Sequence, residues 1–279
     1  MENLKFSVAM SVYKNDNADF FARALQSITD DQTIKPNEVV LVVDGPVGEN
    51  INAVIEEYSN KYDIFKVIRL EVNGGLGNAL RLAVENASYE LIARMDSDDV
   101  SLPTRFEEQL GVIDATEADV VGGFMTEFVG EENNVIGCRD VMLNNEDIKR
   151  DMKSRCAVNH VTVMYKKSAV LAAGGYLDWH YNEDYYLWIR MLLNDAVFAN
   201  SDKVYVNVRV GEEMYQRRGG VKYFKSEAKL QGFMLENKII SFPKYVINVA
   251  KRLVVQVLLP NKLRGWVFKK FARTNRIER

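Results

Sequence analysis

Residues 89–99 read Tyr-Glu-Leu-Ile-Ala-Arg-Met-Asp-Ser-Asp-Asp, an apolar run that ends in three carboxylates within four positions. A short apolar run bounded by Asn, Asp or Gly is typical of a strand buried on both faces of a parallel sheet. Several such runs precede position 125, and we expect strands at 6–12, 38–43, 66–70, 89–95 and 119–124. The acidic residues therefore lie where the fourth predicted strand ends.

Segments with apolar residues at helical spacing separate these strands. The apolar stripes are Phe20, Phe21, Ala24, Leu25 and Ile28; Ile51, Val54, Ile55 and Tyr58; and Leu76, Ala79, Leu80, Ala83 and Val84. Strands that alternate with helices predict an α/β fold, with a mostly parallel, Rossmann-like sheet flanked by helices. After position 125 the pattern is mixed, with expected strands near 161–165 and 204–210 and a helix at about 183–193.

Size and composition bound the class of protein. Of 279 residues, 47% are hydrophobic and 27% are charged, which excludes a disordered or collagen-like chain. This length predicts one large domain over 1–218 and an appended helical segment over 219–279. Cys138 and Cys156 form no disulfide or zinc pattern, which fits a reducing compartment. The first apolar stretch is too short for a signal peptide, so we expect no export.

The acidic run at 96–99 is the strongest chemical signal. Carboxylates this close repel one another unless a cation lies between them, and hard oxygen ligands select Mg²⁺ or Mn²⁺. The alternative is a solvated turn that caps the next helix. Because ligands bind beyond the carboxyl ends of parallel strands, we favour a metal site in this acidic run. The polar residues near this edge that are candidates for ligand binding are Ser11, Tyr13, Asp44, Asn73, Gly75, Asn78, Arg94 and Asp96.

The run Asn-Gly-Gly-Leu-Gly-Asn at 73–78 contains neither GxGxxG nor GxxxxGK[ST], and it follows the third strand rather than the first. We therefore interpret it as a glycine turn that lets helix and strand approach closely, not as a dinucleotide or phosphate loop. Its position still places Asn73, Gly75 and Asn78 at the ligand-binding edge of the sheet.

Five ordered blocks resemble the inverting glycosyltransferases of family 2, which have the nucleotide-sugar-binding GT-A fold. The blocks are Val-Ala-Met-Ser-Val-Tyr at 8–13, Val-Val-Asp-Gly at 42–45, the glycine turn at 73–78, Arg-Met-Asp-Ser-Asp-Asp at 94–99 and Asn-Glu-Asp-Tyr-Tyr-Leu-Trp at 182–188. The resemblance implies a GT-A catalytic domain over 1–218, with a nucleotide-binding half, 1–100, and an acceptor half, 101–218. The roles that it implies are Asp44 on the nucleotide base, Asp96 on ribose and metal, Asp98 on the metal, and Asp184 as catalytic base.

The chemistry of glycosyl transfer gives independent reasons for two of these roles. A departing nucleoside diphosphate gains negative charge, which a divalent cation on Asp98 would stabilise. Displacement at the anomeric carbon also needs a base on the opposite face, worth about 10²–10⁴ in rate. Asp184 suits this role because Asn182-Glu183-Asp184 begins a predicted helix, whose dipole favours anions in its first turn. The alternative is a simple helix cap, and Glu183 is the second choice for the base.

Weaker signals mark residues near the acceptor or the diphosphate. Arg217 and Arg218, followed by two glycines, are suited to diphosphate oxygens, or else begin a solvated helix. His160 lies where the family often has a histidine near the acceptor, although a buried histidine with one hydrogen bond is an equal alternative. Trp179 and Tyr185 are candidate sugar-stacking rings, and Glu183 is also a candidate acceptor contact.

Residues 244–279 carry ten Lys or Arg against the single acid Glu278, in a chain whose net charge is −3. Their spacing predicts an amphipathic helix that ends before Pro260. Its apolar side is Val246, Val249, Ala250, Leu253, Val254, Val257 and Leu258, its polar side is Asn248, Lys251, Arg252 and Gln256, and Trp266, Phe268 and Phe271 follow among cations. We expect contact with an anionic membrane surface, each cation adding about 1 kcal/mol. Packing on the catalytic domain, or on a second subunit of a homodimer, is the alternative.

The sequence lacks the Gln-x-x-Arg-Trp block of processive synthases and any apolar run long enough for a membrane channel, which favours single-sugar transfer. The resemblance implies a nucleotide-sugar donor, with UDP as the expected nucleotide, and a polyprenyl-linked or oligosaccharide acceptor of surface polysaccharide synthesis. It implies action at the inner face of the bacterial plasma membrane and no nucleic-acid partner.

Three other classes of protein share parts of this pattern. A haloacid-dehalogenase phosphatase carries Asp-x-Asp on its first strand, whereas this chain carries it on the fourth. A nucleotidyltransferase begins with a Gly-rich basic loop, where this chain has Tyr13-Lys14-Asn15-Asp16. A non-catalytic module that binds nucleotide sugars is the third alternative, and turnover distinguishes it from an enzyme.

Overall fold

The computed structural model describes residues 4–179, 181–211 and 219–260. The strands are β1 Phe6–Val12, β2 Glu38–Val43, β3 Phe65–Arg69, β4 Leu91–Met95, β5 Val100–Ser101, β6 Val120–Phe128, β7 Val135–Arg139, β8 Met164–Lys166 and β9 Phe198–Arg209. The helices are α1 Ala18–Ile28, α2 Glu49–Lys61, α3 Leu76–Asn86, α4 Arg105–Thr116, α5 Asn145–Met152, α6 Lys167–Ala172, α7 Glu183–Leu193, α8 Val221–Glu236 and α9 Phe242–Leu253. A 3-10 turn, His160–Thr162, precedes β8, and a π-helical turn, Val254–Leu258, follows α9.

The strands form one mixed sheet in the order β3-β2-β1-β4-β8-β6-β9-β5, and β7 pairs with β6. The first four of these are parallel, so their carboxyl ends lie along one edge. β8 runs antiparallel to both β4 and β6, and β9 is parallel to β6. The carboxyl end of β9 therefore reaches the same edge as that of β4.

Helices cover both faces of the sheet. On one face α1 and α4 bury Phe21 and Phe106, and on the other α3, α7 and α8 bury Leu80, Trp188 and Leu230. Because β1 and β2 contribute side chains to both cores, most of their residues are apolar, and the one charged residue, Glu38, lies at the first position of β2. The predicted α/β architecture is confirmed.

The predicted strand bounds are correct in the first part of the sheet and less accurate later. Strands at 6–12 and 38–43 are confirmed as predicted. The strand expected at 161–165 is displaced to β8, because the Thr162 N–H donates to the Asn159 carbonyl at 2.9 Å and so closes a 3-10 turn. β9 begins at Phe198 rather than 204, since parallel pairing with β6 continues through polar residues that give no apolar signal.

Over the described residues 219–260, the predicted helical character is confirmed by α8 and α9. The amphipathic helix is present, but its polar side faces the protein. Asn248 and Gln256 are 3% and 5% exposed, whereas Val246 and Val254 are 47% and 46% exposed. The polar residues Asn248 and Gln256 therefore pack against the rest of the protein, as the alternative to membrane contact expects. Among the residues described, no helix is both long enough and apolar enough to cross a bilayer.

Candidate active site

The candidate active site lies at the edge where β1, β2, β4 and β9 end. Asp44 directly follows β2, and Asp96 directly follows β4. A strand buried on both faces cannot hold an unpaired carboxylate, so the acids appear where the chain leaves the core. Since β1 lies between β2 and β4, the loops after these strands lie side by side.

Asp96, Asp98 and Asp99 form an acidic cluster. One carboxylate oxygen from each lies within 4.8 Å of the other two. Arg94, which is buried, makes a two-contact ion pair with Asp96 and fixes its position. Asp98 is open to solvent, whereas Asp99 is 2% exposed. Hard oxygen donors this close together suit Mg²⁺ or Mn²⁺.

Arg94 only partly balances the charge of the acidic cluster. Although the Asp98 residue is exposed as a whole, neighbouring protein atoms partly desolvate its carboxyl group, and this desolvation, followed by the charge of Asp96, raises the pKa of Asp98 to about 6. The same two causes raise the pKa of Asp99 well above its usual range. Burial also raises the pKa of Asp16, whose carboxylate accepts a hydrogen bond from Ser97 Oγ at 2.7 Å. A bound cation would favour the ionised form of each of these three carboxyl groups.

Arg209 fastens the acidic cluster to the end of β9. Its backbone N–H donates to Asp99 at 2.9 Å, and its Nε donates to the Asp98 carbonyl at 3.2 Å. Its guanidinium lies 3.7 Å from the ring centroid of Phe20 and 4.6 Å from that of Phe128, which restricts its movement. The loop after β4 is thus held by a residue far along the chain.

Asp44 joins the end of β2 to the glycine turn at 73–78. Its two carboxylate oxygens accept hydrogen bonds from the N–H groups of Gly74, at 2.7 Å, and Gly75, at 3.0 Å. Asn73 Nδ2 donates to the Asp44 backbone carbonyl at 3.0 Å. Gly75 has a φ of +84°, a conformation that glycine adopts without steric cost. The run therefore requires glycine at Gly75 for its backbone conformation, whereas a Cβ built there would meet nothing within 4 Å, so the close approach of helix and strand is not found at this position.

Glu183 and Asp184 form an acidic pair in the first turn of α7. A Cβ placed on Gly77 would lie 3.6 Å from Glu183 Cβ, so the pair lies beside the start of α3. Burial, and then the charge of Asp184, raises the pKa of Glu183 to about 7. The Cys156 thiol lies 3.9 Å from Asp184 Oδ2, and burial, followed by Asp184, raises its pKa to about 12. Cys156 is therefore a neutral neighbour of Asp184.

Arg94 connects the acidic cluster to the acidic pair. Against the larger effect of burial, its charge opposes the rise in the pKa of both Asp98 and Glu183. Burial, and then Arg94, depresses the pKa of His160 well below its usual range, so the imidazole is neutral. His160 Nε2 lies 2.8 Å from the Tyr176 hydroxyl. Both acidic groups thus lie within the field of one buried guanidinium, in a single site.

Residues 7–170 match the family described as Glycosyl transferase family 2. This chain belongs to that family. The glycosyltransferase is 35% identical over 270 residues to a UDP-Gal:alpha-D-GlcNAc-diphosphoundecaprenol beta-1,3-galactosyltransferase of Escherichia coli, covering 96% of this chain and 97% of that one. It is 33% identical over 266 residues to the amylovoran biosynthesis glycosyltransferase AmsE of Erwinia amylovora, covering 95% and 98% of the two chains.

Solved structures confirm the predicted GT-A fold of the glycosyltransferase. S. aureus TarS superposes with a TM-score of 0.66 at 21% identity, covering 90% of this chain and 44% of TarS. A shorter form of TarS in complex with UDP-GlcNAc gives a TM-score of 0.62 at 20% identity, covering 99% of this chain and 76% of that chain. At this level of identity the likeness shows the fold alone.

The glycosyltransferase places the remaining predicted nucleotide contacts near the strand ends. Ser11 is half-buried on β1, and Tyr13 just beyond it is 37% exposed. Asn78 lies on α3, and its Oδ1 accepts a hydrogen bond from Arg81 Nη2 at 2.8 Å. The predicted residues that lie outside the described ranges are Arg217, Arg218, Trp266, Phe268 and Phe271.

The two aromatic candidates for sugar stacking have different surroundings. The Trp179 ring packs on Tyr186 with centroids 4.2 Å apart, and its Nε1 donates to the Ser226 carbonyl at 3.3 Å. Tyr185 is 2% exposed, and its hydroxyl donates to the Met152 carbonyl. The interpretation of Tyr185 as a sugar-stacking ring is wrong, because its position on α7 directs the ring into the core.

Sequence reasoning assigns no role to three residues of the site. Asp99 belongs to the acidic run, whose carboxylates are expected to lie close together, but the metal is assigned to Asp96 and Asp98 alone. Asp16 follows β1 at the same sheet edge, so the rule for strand ends could have found it. Arg209 gives no local signal, since it contacts Asp99 across 110 positions of sequence.

Proposed function

We propose that this enzyme is a metal-dependent inverting glycosyltransferase that moves one hexose from a UDP-hexose to a polyprenyl-linked or oligosaccharide acceptor in surface polysaccharide synthesis. The observation that carries the proposal is an acidic cluster and an acidic pair in one site of a family 2 chain. The names of two relatives support the donor and acceptor classes, since one uses UDP-Gal and a diphosphoundecaprenol-linked sugar and the other acts in amylovoran biosynthesis.

The donor set of the acidic cluster fits a divalent cation. Three carboxylate oxygens lie within 4.8 Å of one another, and desolvation and like charge raise the pKa of Asp98 and Asp99. Asp96 and Asp98 would hold Mn²⁺ or Mg²⁺, while Arg94 keeps Asp96 in place. When bound, such an ion stabilises the negative charge that grows on the diphosphate.

Asp184 is the proposed general base. In an inverting displacement the acceptor oxygen bonds to the anomeric carbon as the bond from that carbon to the diphosphate oxygen breaks. The hydroxyl proton passes to the carboxylate of the base. Asp184 matches the position of the base in the family motif, and it lies in the first turn of α7. Glu183 is the second candidate, because its pKa, raised to about 7 chiefly by burial, also suits proton transfer near neutral pH.

The nucleotide is proposed to lie across the ends of β1, β2 and β4. Asp44 already accepts two N–H bonds from the glycine turn, but an ionised carboxylate offers about four acceptor positions and can still receive an N–H from uracil. Asp96 would contact the ribose, and Arg94 would act through Asp96. His160 and Trp179 stay predictions for the acceptor region, as do Arg217 and Arg218 for the diphosphate.

We place the reaction at the cytoplasmic face of the bacterial plasma membrane. Support comes from the relative named for a diphosphoundecaprenol-linked acceptor and from the basic segment 244–279. An anionic lipid surface would hold that segment close to such an acceptor. No part of the proposal involves a nucleic acid, and a homodimer is the competing explanation for the C-terminal helix.

A screen of nucleotide sugars for release of nucleoside diphosphate tests the proposal. We expect release from a UDP-hexose that requires Mn²⁺ or Mg²⁺ and stops on addition of a chelator. ADP-, GDP- and CDP-sugars are the matched controls for the base. Release that persists without a divalent cation would contradict the metal site. Tight binding of UDP without turnover of any sugar donor would support the non-catalytic module instead.

A further inference from the structure

The C-terminal helix α9 is oriented with its polar side inward and its apolar side outward. Asn248 and Gln256 are buried. The outer α9 face, which continues into the π-helical turn after the helix, consists of Phe242, Val246, Ile247, Ala250, Leu253, Val254 and Leu258, all of which are exposed. Lys251, at its border, is exposed as well. Within that face Phe242 and Leu258 are each 65% exposed. A helix at a protein surface ordinarily turns its apolar side to the core, so this orientation requires a specific cause.

Polar contacts on the inner side fix the orientation of α9. Asn248 Nδ2 donates to Gln231 Oε1 at 2.8 Å and to the Lys153 carbonyl at 2.9 Å. Arg252 pairs with Glu227 of α8, and their side chains are only 11% and 13% exposed. Rotation of the helix to bury its apolar side would leave this ion pair and these amides without partners, at a large desolvation cost.

Further contacts extend from these to the first turn of α7. Gln256 Nε2 donates to Glu227 Oε2 at 3.0 Å. Ser226, the neighbour of Glu227 on α8, accepts a hydrogen bond from Asn182 Nδ2 at 3.1 Å. Asn182 directly precedes the acidic pair. The outer α9 face is therefore held at a fixed position relative to the proposed base, with α8 as the connecting element.

Charge distinguishes the molecules that could cover the outer α9 face. No Asp or Glu occurs between Glu236 and Glu278, while ten Lys or Arg occur in 244–279. A second copy would bring the same excess of positive charge, with no acid in its own 244–279 segment except Glu278. An anionic bilayer offers both an apolar interior for the exposed side chains and negative headgroups for the cations.

We propose that the outer α9 face docks on an anionic lipid bilayer and thereby sets the orientation of the active site to a lipid-linked acceptor. This second part rests on the function proposed above. The helix lies along the interface rather than crossing it, and the polar contacts to α8 transmit its orientation to α7.

Vesicle sedimentation tests the proposal with full-length protein. The test variant combines Val246→Ser, Ile247→Ser and Val254→Ser, whose native side chains are 47%, 50% and 46% exposed. The matched control combines Val129→Ser, Ile136→Ser and Leu171→Ser, at 42%, 46% and 43% exposure on other elements. With phosphatidylcholine vesicles containing phosphatidylglycerol, we expect the test variant to bind about 10-fold or more weakly than wild type and the control to bind within about twofold.

Three results would overturn the docking proposal. They are absence of wild-type binding to the anionic vesicles, equal binding of the test variant, and a dimer that the test variant alone converts to monomer. Equal binding of the wild type to vesicles of pure phosphatidylcholine and to the anionic vesicles would overturn the role of negative headgroups. Metal-dependent hydrolysis of UDP-hexose in solution, measured on the same variants, is expected to stay at the wild-type rate. Vesicle binding tests the docking proposal, and hydrolysis in solution tests the catalytic proposal. Failure of one measurement with the other as expected therefore shows which proposal is wrong.

Discussion

The acidic cluster and the acidic pair use the same functional group in different surroundings. In the cluster, Asp96, Asp98 and Asp99 bring three oxygens within 4.8 Å, and the ion pair with Arg94 neutralises only one of them. In the pair, Glu183 and Asp184 are neighbours on one helical turn, and burial raises the pKa of the first to about 7. Three crowded carboxylates favour a cation, whereas two half-buried carboxylates, of which Glu183 has a pKa near neutrality, favour proton transfer. The number of acids brought together, rather than the residue type, distinguishes the two groups.

The largest expected effect is that of Asp98→Ala on the acidic cluster. Turnover should fall by about 10³-fold or more, because the site loses its open metal ligand. Calorimetry with UDP and Mn²⁺ should show no metal-dependent binding. Thermal unfolding should occur at the wild-type temperature or higher, since removing one of several crowded carboxylates relieves repulsion. Undiminished turnover in this variant would rule out the metal site.

Asp184→Asn, in the acidic pair, should lower turnover but leave donor binding intact, whereas Asp98→Ala should remove metal-dependent binding. The amide keeps the shape of the side chain but cannot accept the proton, so turnover should fall by about 10²-fold or more. Calorimetric affinity for UDP with Mn²⁺ should stay at the wild-type value. A rate within a few-fold of wild type would transfer the role of base to Glu183.

The pH dependence of metal binding should sharpen the comparison further. Desolvation and Asp96 raise the pKa of Asp98 to about 6, and a metal ligand must be deprotonated. Protons therefore compete with Mn²⁺ as the pH falls through 6, and affinity measured by calorimetry should drop about 10-fold between pH 7 and pH 5. A constant affinity over this range would show that Asp98 is not a ligand.

The smallest effect on turnover is expected for Glu183→Gln, within about threefold of wild type if Asp184 is the base. The substitution should instead change how the free energy of unfolding depends on pH. The folded pKa of about 7 lies above the unfolded value, so Glu183 stabilises the fold at low pH, and this contribution is lost as pH rises towards and through 7. Denaturant unfolding should find the variant more stable than wild type by about 1–3 kcal/mol at pH 8 and equal to it near pH 4. An equal difference at both pH values would contradict the raised pKa.

Local patterns determined how much of this structure could be predicted. The parallel strands β1 and β2 have the predicted bounds because each is a mostly apolar run that polar residues follow. The acidic run was found for the same reason, since Asp96 and Asp98 directly follow a strand. β8 and β9 were less accurate, because antiparallel and long-range pairing adds polar residues to a strand without any signal in its own sequence.

Long-range contacts explain what was missed. Arg209 reaches Asp98 and Asp99 from the end of β9, which no local motif indicates. The periodicity of α9 predicted an amphipathic helix but could not say which side faces the protein, and Lys251 of the predicted polar side is exposed. The inward side carries Arg252, which pairs with Glu227 of α8, a partner far away in the sequence.

The anomeric configuration of the product tests the central claim most directly. If the acceptor oxygen displaces UDP in one step, with Asp184 taking its proton, a UDP-α-hexose must give a β-linked product. Proton magnetic resonance of the product formed by wild-type enzyme with Mn²⁺ reads this configuration from the coupling of the anomeric proton. The account predicts inversion. An α-linked product would require a second displacement and would contradict the assignment of the acidic pair to proton transfer.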